Sequence, residues 1–372
     1  MTDGERFEVF LVAVPGLEEA LRDEAAAKGF TDARRMAGGV AFMGTWRDVW
    51  RANLELRGAS QVLARIGEFP VTHLAQLDKR ARSFPWGEVL RRGVPVRVEA
   101  SCKRSKLYHS GAVAQRIETA IREELGAPVS ADADIAIKAR VESDLLTLSV
   151  DTSGELLHKR GAKQAMAKAP MRETMAALFL RQCGYTGSEP VLDPMCGSGT
   201  FVIEAAEIAA GLAPGRNRSF AFEKLATFDA NAWAAMKAAP ARVTPAFIFH
   251  GSDRDQGSIA AAEANAKRAD VAGFTVFERK SVSDIAPPDG PPGLVICNPP
   301  YGSRIGEKKP LFALYAALGQ TLRERFAGWR VGIITSDAAL ARATGLPFKQ
   351  SAPVLHGGLR VYLFQTGALQ RA

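Results

Sequence analysis

The chain has 372 residues, 47% of them hydrophobic and 24% charged, with 48 Lys plus Arg against 40 Asp plus Glu and a formal net charge of +8. At about 150 residues per domain this length accommodates two or three domains, and the ordinary composition excludes a mainly disordered, collagen-like or coiled-coil chain. No run of about 18 apolar residues encodes a membrane span, and the four cysteines, Cys102, Cys183, Cys196 and Cys297, are too dispersed for a disulfide framework or a zinc or iron–sulfur site. The start, MTDGERFEVF, is acidic where a secretory signal is basic, so a cytoplasmic protein with no membrane and no metal is expected.

FEVFLVAV, from Phe7, reads as a strand ending at Pro15–Gly16, and LEEALRDEAAAKGF as a helix with Leu17, Ala20 and Leu21 at helical spacing, stopped by Gly29. GGVAFMG predicts a short strand. TWRDVWRANLEL predicts a helix with Thr45 as N-cap and a Trp46/Trp50 stripe that belongs in a core rather than under a nucleotide base. PVRVEASCK and SGAVAQRIETAIREELG read as strand and helix, and DIAIKARVESD with LLTLSVDTSG as a hairpin turning around Glu142–Ser143–Asp144. Residues 1–155 therefore resolve into small α+β units in series.

Basic residues concentrate in this half. Between Lys79 and Lys106 there are nine (Lys79, Arg80, Arg82, Arg91, Arg92, Arg97, Lys103, Arg104, Lys106) against two acids, Glu88 and Glu99. Residues 157–172 hold Lys159, Arg160, Lys163, Lys168 and Arg172 with no acid. Such clusters bind phosphate backbones through counterion release, although each alone also fits a solvated basic face. Lys103, Arg104 and Lys106 follow a strand, a place suited to a nucleic-acid contact.

From Met166 the pattern changes. A helix opening after Pro170 places Met171, Met175, Leu178 and Phe179 on one face. PVLDPM, AFIFHGSD, FTVFERK, GLVICNPP, WRVGIITS and RVYLFQTG then read as strands separated by helix-length segments. That alternation predicts a mostly parallel sheet covered on both faces, with ligands bound at the carboxyl ends of its strands.

The residues just past those ends carry the chemistry. In VLDPMCGSGTFVIEAAEIAAG, Asp193 ends a strand, Gly197 and Gly199 admit a ligand close to the backbone, and Thr200 is expected to cap the next helix. The spacing is neither the dinucleotide G-x-G-x-x-G nor a phosphate-binding P-loop. A strand-end carboxylate beside it suits a cationic or hydroxyl-bearing ligand, such as a sulfonium amino acid with a ribose. Asp253 in FHGSDRD is placed to accept from a ribose diol or to cap a helix from about Gly257, and Asp284 in SVSDI to accept from an adenine amino group. The sharpest signal is NPPYG. Pro299 and Pro300 fix a rigid extended turn, the Asn298 side chain and the Pro299 carbonyl offer two converging acceptors for an –NH₂ group, and Tyr301 offers a stacking face.

LDPMCGSGT, GSDRD and NPPYG, in that order, resemble the class I S-adenosylmethionine-dependent methyltransferases that modify exocyclic amino groups. LHKRG, APMRETMAALFL, DPMCGSGTFVIEAAEIAAGLAPG and the Trp-bearing FDANAW are similar to the bacterial 23S rRNA guanine-N2 methyltransferases that carry a THUMP RNA-binding domain. The resemblance implies an α/β fold, a C-terminal Rossmann-like class I methyltransferase domain with a mostly parallel seven-stranded sheet, preceded by an α+β ferredoxin-like/THUMP RNA-binding region. Expected boundaries are 1–55 for the ferredoxin-like region, 56–156 for THUMP and 157–372 for the methyltransferase. It further implies S-adenosyl-L-methionine as cofactor, with Pro170, Asp193, Pro194, Cys196, Gly197, Gly199 and Thr200 around its methionine end, Asp253 on its ribose and Asp284 on its adenine. Asn298 touches both cofactor and target base, and Pro299, Pro300 and Tyr301 receive that base. RNA contacts are expected at Lys79, Arg80, Arg82, Arg91, Arg92, Lys103, Arg104, Lys106, Lys159 and Arg160. Some relatives carry a second, C-terminal methyltransferase domain, whose activity is not expected here.

The expected reaction is direct methyl transfer to a guanine N2 of 23S rRNA or of a large-subunit assembly intermediate, by orientation and electrostatics on an unstacked base. Cys196 and Cys297 are then packing residues. Other readings of the same turn are guanine-N2 methylation of tRNA, adenine-N6 methylation of nucleic acid and glutamine-N5 methylation of protein; a non-catalytic RNA-binding assembly factor is a further one.

Overall fold

The computed structural model describes residues 4–161, 171–239, 242–301 and 308–371. Its elements run β1 (Phe7–Val12), α1 (Glu18–Ala27), β2 (Arg34–Met36), β3 (Gly39–Gly44), α2 (Trp46–Glu55), β4 (Gln61–Pro70), α3 (Leu74–Arg82), β5 (Val96–Lys103), α4 (Ser110–Ala120), β6 (Ile135–Glu142) and β7 (Leu145–Asp151). They continue with α5 (Glu173–Gln182), β8 (Val191–Asp193), α6 (Thr200–Ala209), α7 (Ala230–Ala238), β9 (Phe249–Asp253), α8 (Gln256–Arg268), β10 (Thr275–Arg279) and β11 (Leu294–Cys297). The last are α9 (Lys308–Arg325), β12 (Arg330–Thr335), α10 (Ala338–Ala343), β13 (Lys349–Gln350), β14 (Val354–His356) and β15 (Leu359–Gln365). Two units emerge: Met1–Ala13, Arg22–Leu157 and Gly215–Ala239 form the first, and Val14–Leu21, His158–Pro214 and Pro240–Ala372 the second.

The first unit is built on one seven-stranded sheet in the order β2-β3-β1-β4-β7-β6-β5, in which β5 and β6 alone pair in parallel. The stretch β2-β3-β1-β4, traced as β-α-β-β-α-β, is the ferredoxin-like arrangement. Its fourth strand, β4, has no counterpart in the sequence reading although it pairs with both β1 and β7. After Ala64 none of its side chains is buried, and a bulge lies between Arg65 and Gly67, so the alternation that marks a half-buried strand is lost. The β6–β7 turn falls where the sequence puts it: Ser143 (φ +52°) and Asp144 (φ +62°) form a two-residue turn of the kind that matches strand twist.

Helix α2 starts at Thr45, whose N–H and hydroxyl both donate to Asp48 Oδ2 (2.9 and 3.1 Å). Trp46 and Trp50 are core residues. The FDANAW segment also belongs to this unit. Phe222 stacks on Trp50 with centroids 6.0 Å apart, Phe220 stacks on Phe222, and Trp233 meets Phe222 edge-on. Gly215 enters the cluster with its N–H on the Leu54 carbonyl (2.9 Å). Leu225 is fully buried.

The second sheet has the order β10-β9-β8-β11-β12-β15-β13, with β14 paired to β15. The first five strands are parallel and β15 runs antiparallel to β12. Leu294 to Cys297 and Val331 to Thr335 are buried along their whole length, because helices cover both faces of a parallel sheet. Strands β13 and β14, of two and three residues, are too short for any periodicity to announce them. The chain passes from β8 to β9 on one side and β11 flanks β8 on the other, so the strand order reverses at β8, the point where such sheets open a ligand crevice.

Candidate active site

Register brings the chemistry to one edge of the second sheet. Asp193 pairs with Gly251 and Arg279 with Asp253, while Val295 pairs with Leu192, so β8, β9 and β11 end together. Asp193 is 2% exposed and accepts from the Met195 N–H at 3.0 Å. Desolvation, with the nearby Asp253 charge adding to it, holds its carboxyl well above the usual carboxylate range. Asp253 is half-buried. Its Oδ2 accepts from Gly197 N–H (3.1 Å) and its Oδ1 from Asp255 N–H (3.0 Å). Asp253 does not cap α8; that role falls to Asp255, which accepts from Ser258 N–H at 2.8 Å, because the helix begins at Gln256.

Gly197 (φ +52°) and Gly199 (φ +86°) both adopt left-handed backbone, which turns the chain sharply from β8 into α6. Gly199, not Thr200, is the N-cap of α6; Thr200 is its first helical residue. A Cβ on Gly199 would lie 3.1 Å from the Ala262 Cβ. Pro194 and Cys196 are buried within the turn. Burial pushes the Cys196 and Cys297 thiols well up, away from nucleophilic thiolate, so both act in packing.

Beyond β11, Asn298 presents a buried Oδ1 that finds no hydrogen-bond partner among the described residues. An orphaned buried carbonyl oxygen is costly and marks a place where a donor arrives. Pro299 is buried, Pro300 half-buried, and Tyr301 packs against the apolar core cluster of the second sheet. Burial pushes the Tyr301 hydroxyl up to about 12. Two side chains without a motif of their own brace the site. Tyr315 on α9, fully buried, donates its hydroxyl to the Pro300 carbonyl (3.4 Å). Arg325, also on α9, donates to the carbonyls of Ser283 and Ile285 (3.1 and 3.0 Å), the two neighbours of the exposed Asp284. Neither was legible in the sequence, where each is one polar residue in an amphipathic helix. Pro170 lies outside the described residues, as do Lys163 and Lys168.

The basic run does not form one patch. Arg82 is spent on Asp78, Glu123 and Glu124 (3.0, 2.6 and 3.1 Å). Arg91 and Arg92 lie just before the start of β5, with Gly126 against the Arg92 side chain, while Lys79 and Arg80 are on α3. Lys103 ends β5, and Arg104 and Lys106 follow it, about 25 Å from its start along an eight-residue strand. Arg160 is not a surface cation either. It is 7% exposed, and its guanidinium binds Glu204 and reaches Glu207 at 3.4 Å. Lys159 beside it is exposed. Among the described residues no helix is long and apolar enough to cross a membrane, and no cluster of three or more His, Cys, Asp or Glu could hold a metal ion.

Residues 160–360 match the family described as RMKL-like, methyltransferase domain, and residues 8–63 match the RlmL ferredoxin-like domain. A putative RNA methyltransferase of Synechocystis is 32% identical over 94% of both chains. The chain belongs to the RMKL-like methyltransferase family. Ribosomal RNA large subunit methyltransferase K/L of Syntrophotalea carbinolica is 35% identical over 95% of this chain and 52% of its own, so the chain spans about half the length of that relative. Among solved structures, a putative methyltransferase (SMU.472) complexed with SAH superimposes over the full length of both chains with a TM-score of 0.88 at 27% identity.

The cofactor of this family is S-adenosyl-L-methionine, and the edge described above fits it. A buried acid held above its ordinary range gains from a cationic amino group. The left-handed turn at Gly197 and Gly199 follows β8 directly, and the half-buried Asp253 carboxylate stands one strand away for hydroxyl donors.

Proposed function

We propose that this member of the family methylates the exocyclic N2 of a guanine in large-subunit ribosomal RNA. The observation that carries the reading is the buried, unpartnered Oδ1 of Asn298 at the end of β11, one strand from Asp193. S-adenosyl-L-methionine, when bound, supplies a methyl group made electrophilic by its sulfonium. The residues do the rest. Asn298 Oδ1 accepts one N–H of the target amino group and the Pro299 carbonyl the other, which turns a lone pair otherwise delocalised into the ring toward the methyl carbon. Tyr301 stacks on the flipped base and offsets part of its unstacking. Asp193, Cys196, Gly197, Gly199 and Thr200 hold the methionine end, Asp253 the ribose and Asp284 the adenine. The exposed cations of the first unit grip RNA backbone, and the printed name of the K/L relative supports ribosomal RNA as that partner.

The test uses total RNA from cells lacking the protein, incubated with it and tritiated S-adenosyl-L-methionine, then digested to nucleosides. Label in N2-methylguanosine from large-subunit rRNA is the expected result. Label in N6-methyladenosine would replace the base, and label in tRNA the substrate. Asn298→Ala is expected to lower transfer about 10²–10³-fold, the usual cost of one preorganised polar group at a reacting centre, with RNA binding retained. RNA binding by the wild type with no transfer into any RNA would overturn the enzyme reading in favour of an assembly factor.

A further inference from the structure

The loop between β5 and α4 carries an arrangement that the methyl-transfer site does not use. Tyr108 is 73% exposed, more than any other large apolar side chain among the described residues. Its ring lies against that of the exposed His109, with centroids 4.2 Å apart and planes tilted by 42°. Leu107 turns inward, is buried and fixes the base of the loop. Lys103, Arg104 and Lys106 are all exposed, and residues 101–110 contain no acid.

This loop is held in shape rather than left loose. Lys106 N–H donates to Asp144 Oδ1 (2.7 Å), and Asp144 N–H donates to Ser105 Oγ (3.1 Å). Ser105 Oγ donates to the Lys103 carbonyl (2.8 Å), which also accepts from Ser143 N–H (3.2 Å). Arg104 takes a left-handed conformation (φ +49°), rare for a residue with a Cβ, and so is directed by these bonds. The Asp144 carboxylate beside the loop is committed to its backbone. Glu142, 3.9 Å from Lys103 Nζ, also binds Arg140.

An aromatic surface kept in water on the same anchored loop as three exposed cations answers to one ligand chemistry: a planar base joined to phosphates. Stacking uses a face that duplex nucleic acid keeps buried between its own bases, so the platform selects unpaired nucleotides. We propose that residues 103–109 form a binding subsite for an unpaired nucleotide of RNA, with the base on the Tyr108/His109 rings and flanking phosphates on Lys103, Arg104 and Lys106. The subsite rests on the RNA reading above and adds to it a place and a strand preference.

The experiment is equilibrium binding of the full-length protein to a fluorescein-labelled 12-nucleotide single-stranded RNA and to a duplex of the same length, across a salt series. Tyr108→Ala is expected to weaken single-strand binding about 5- to 150-fold, the range of one lost base stack, with an unchanged salt slope and little effect on the duplex. Tyr108→Phe is expected to bind as wild type, and the triple Lys103→Ala, Arg104→Ala, Lys106→Ala variant to flatten the salt slope. An unchanged denaturant midpoint and unchanged amide exchange in β5, β6 and α4 in each variant show that the first unit, which carries the loop, stays folded. Wild-type affinity of Tyr108→Ala for single-stranded RNA would overturn the subsite and leave the RNA reading standing. A wild type that binds neither RNA would overturn both.

Discussion

The N–H of Gly197 donates to the Asp253 carboxylate at 3.1 Å, so the glycine-rich turn after β8 and the acid after β9 form one hydrogen-bonded piece. The acid proposed for the ribose thus also holds the turn proposed to face the methionine end. Asp253→Ala is expected to weaken SAH binding by more than the loss of a ribose contact alone. Two hydrogen bonds to a charged group, at about 1.5–3 kcal/mol each, set a loss of well over tenfold in Kd by calorimetry. Asp253→Asn retains an acceptor for Gly197 and should fall between. SAH affinity within twofold of wild type in Asp253→Ala would show that the turn holds its shape without the acid.

Asp193 gives the site its pH dependence. Burial raises its folded-state pKa, so the sign follows from which form each state favours. Folding shifts the balance of Asp193 toward its protonated form, so its contribution to stability is present at low pH and lost as pH rises through the raised pKa. A cationic ligand group reverses the preference by pairing with the carboxylate. SAH affinity should therefore decline as pH is lowered from 8 into the range above the ordinary carboxylate pKa, with protons released on binding. Asp193→Asn should bind more weakly at pH 8 and show a flatter profile. A wild-type affinity independent of pH between 5 and 8 would contradict this.

Much of the second unit was legible because a parallel sheet writes itself as apolar runs followed by punctuation. Leu294–Cys297 then Asn298-Pro299-Pro300, or Val191–Asp193 then a glycine pair, announce both a strand and the ligand edge at its end. What stayed hidden is of three kinds. β4 is half-solvated and bulged, so its role at the centre of a sheet comes from neighbours rather than its own pattern. Arg160, Tyr315 and Arg325 act through partners 15 or more residues away, and nothing local in the sequence separates a buried, paired Arg from a surface one. The FDANAW segment is a third instance. Its aromatics read as a methyltransferase insert, yet they complete the aromatic cluster around Trp50 in the other unit.

Arg160 separates charge that binds RNA from charge that holds the fold. Its side chain is 6% exposed, and those of Glu204 and Glu207 are 2% and 5% exposed. Removing one member of a buried ion cluster leaves the others desolvated, at a cost of about 3–5 kcal/mol. Arg160→Ala should show that loss as a lower denaturant midpoint, and α6, which carries both glutamates, should gain faster amide exchange. Lys159→Ala at the exposed position next to it should reduce the salt slope of RNA binding. An Arg160→Ala protein as stable as wild type but weak in RNA binding would return this residue to the surface.

Burial raises the Tyr301 hydroxyl to about 12, so near neutral pH it is a hydrogen-bond donor rather than a base. The ring, proposed above as the stacking face, and the hydroxyl can be tested separately. Tyr301→Phe keeps that ring and its packing against the core, and should retain most of kcat/KM. Tyr301→Ala removes the stacking face and should lower kcat/KM for RNA by about 1–3 kcal/mol, with KM for the cofactor little changed. The two substitutions divide the possibilities cleanly. If Phe is as damaging as Ala, the hydroxyl carries the role and the base is held by a hydrogen bond. If neither matters, the flipped base stacks elsewhere, and the turn contributes only the two acceptors at Asn298 and Pro299.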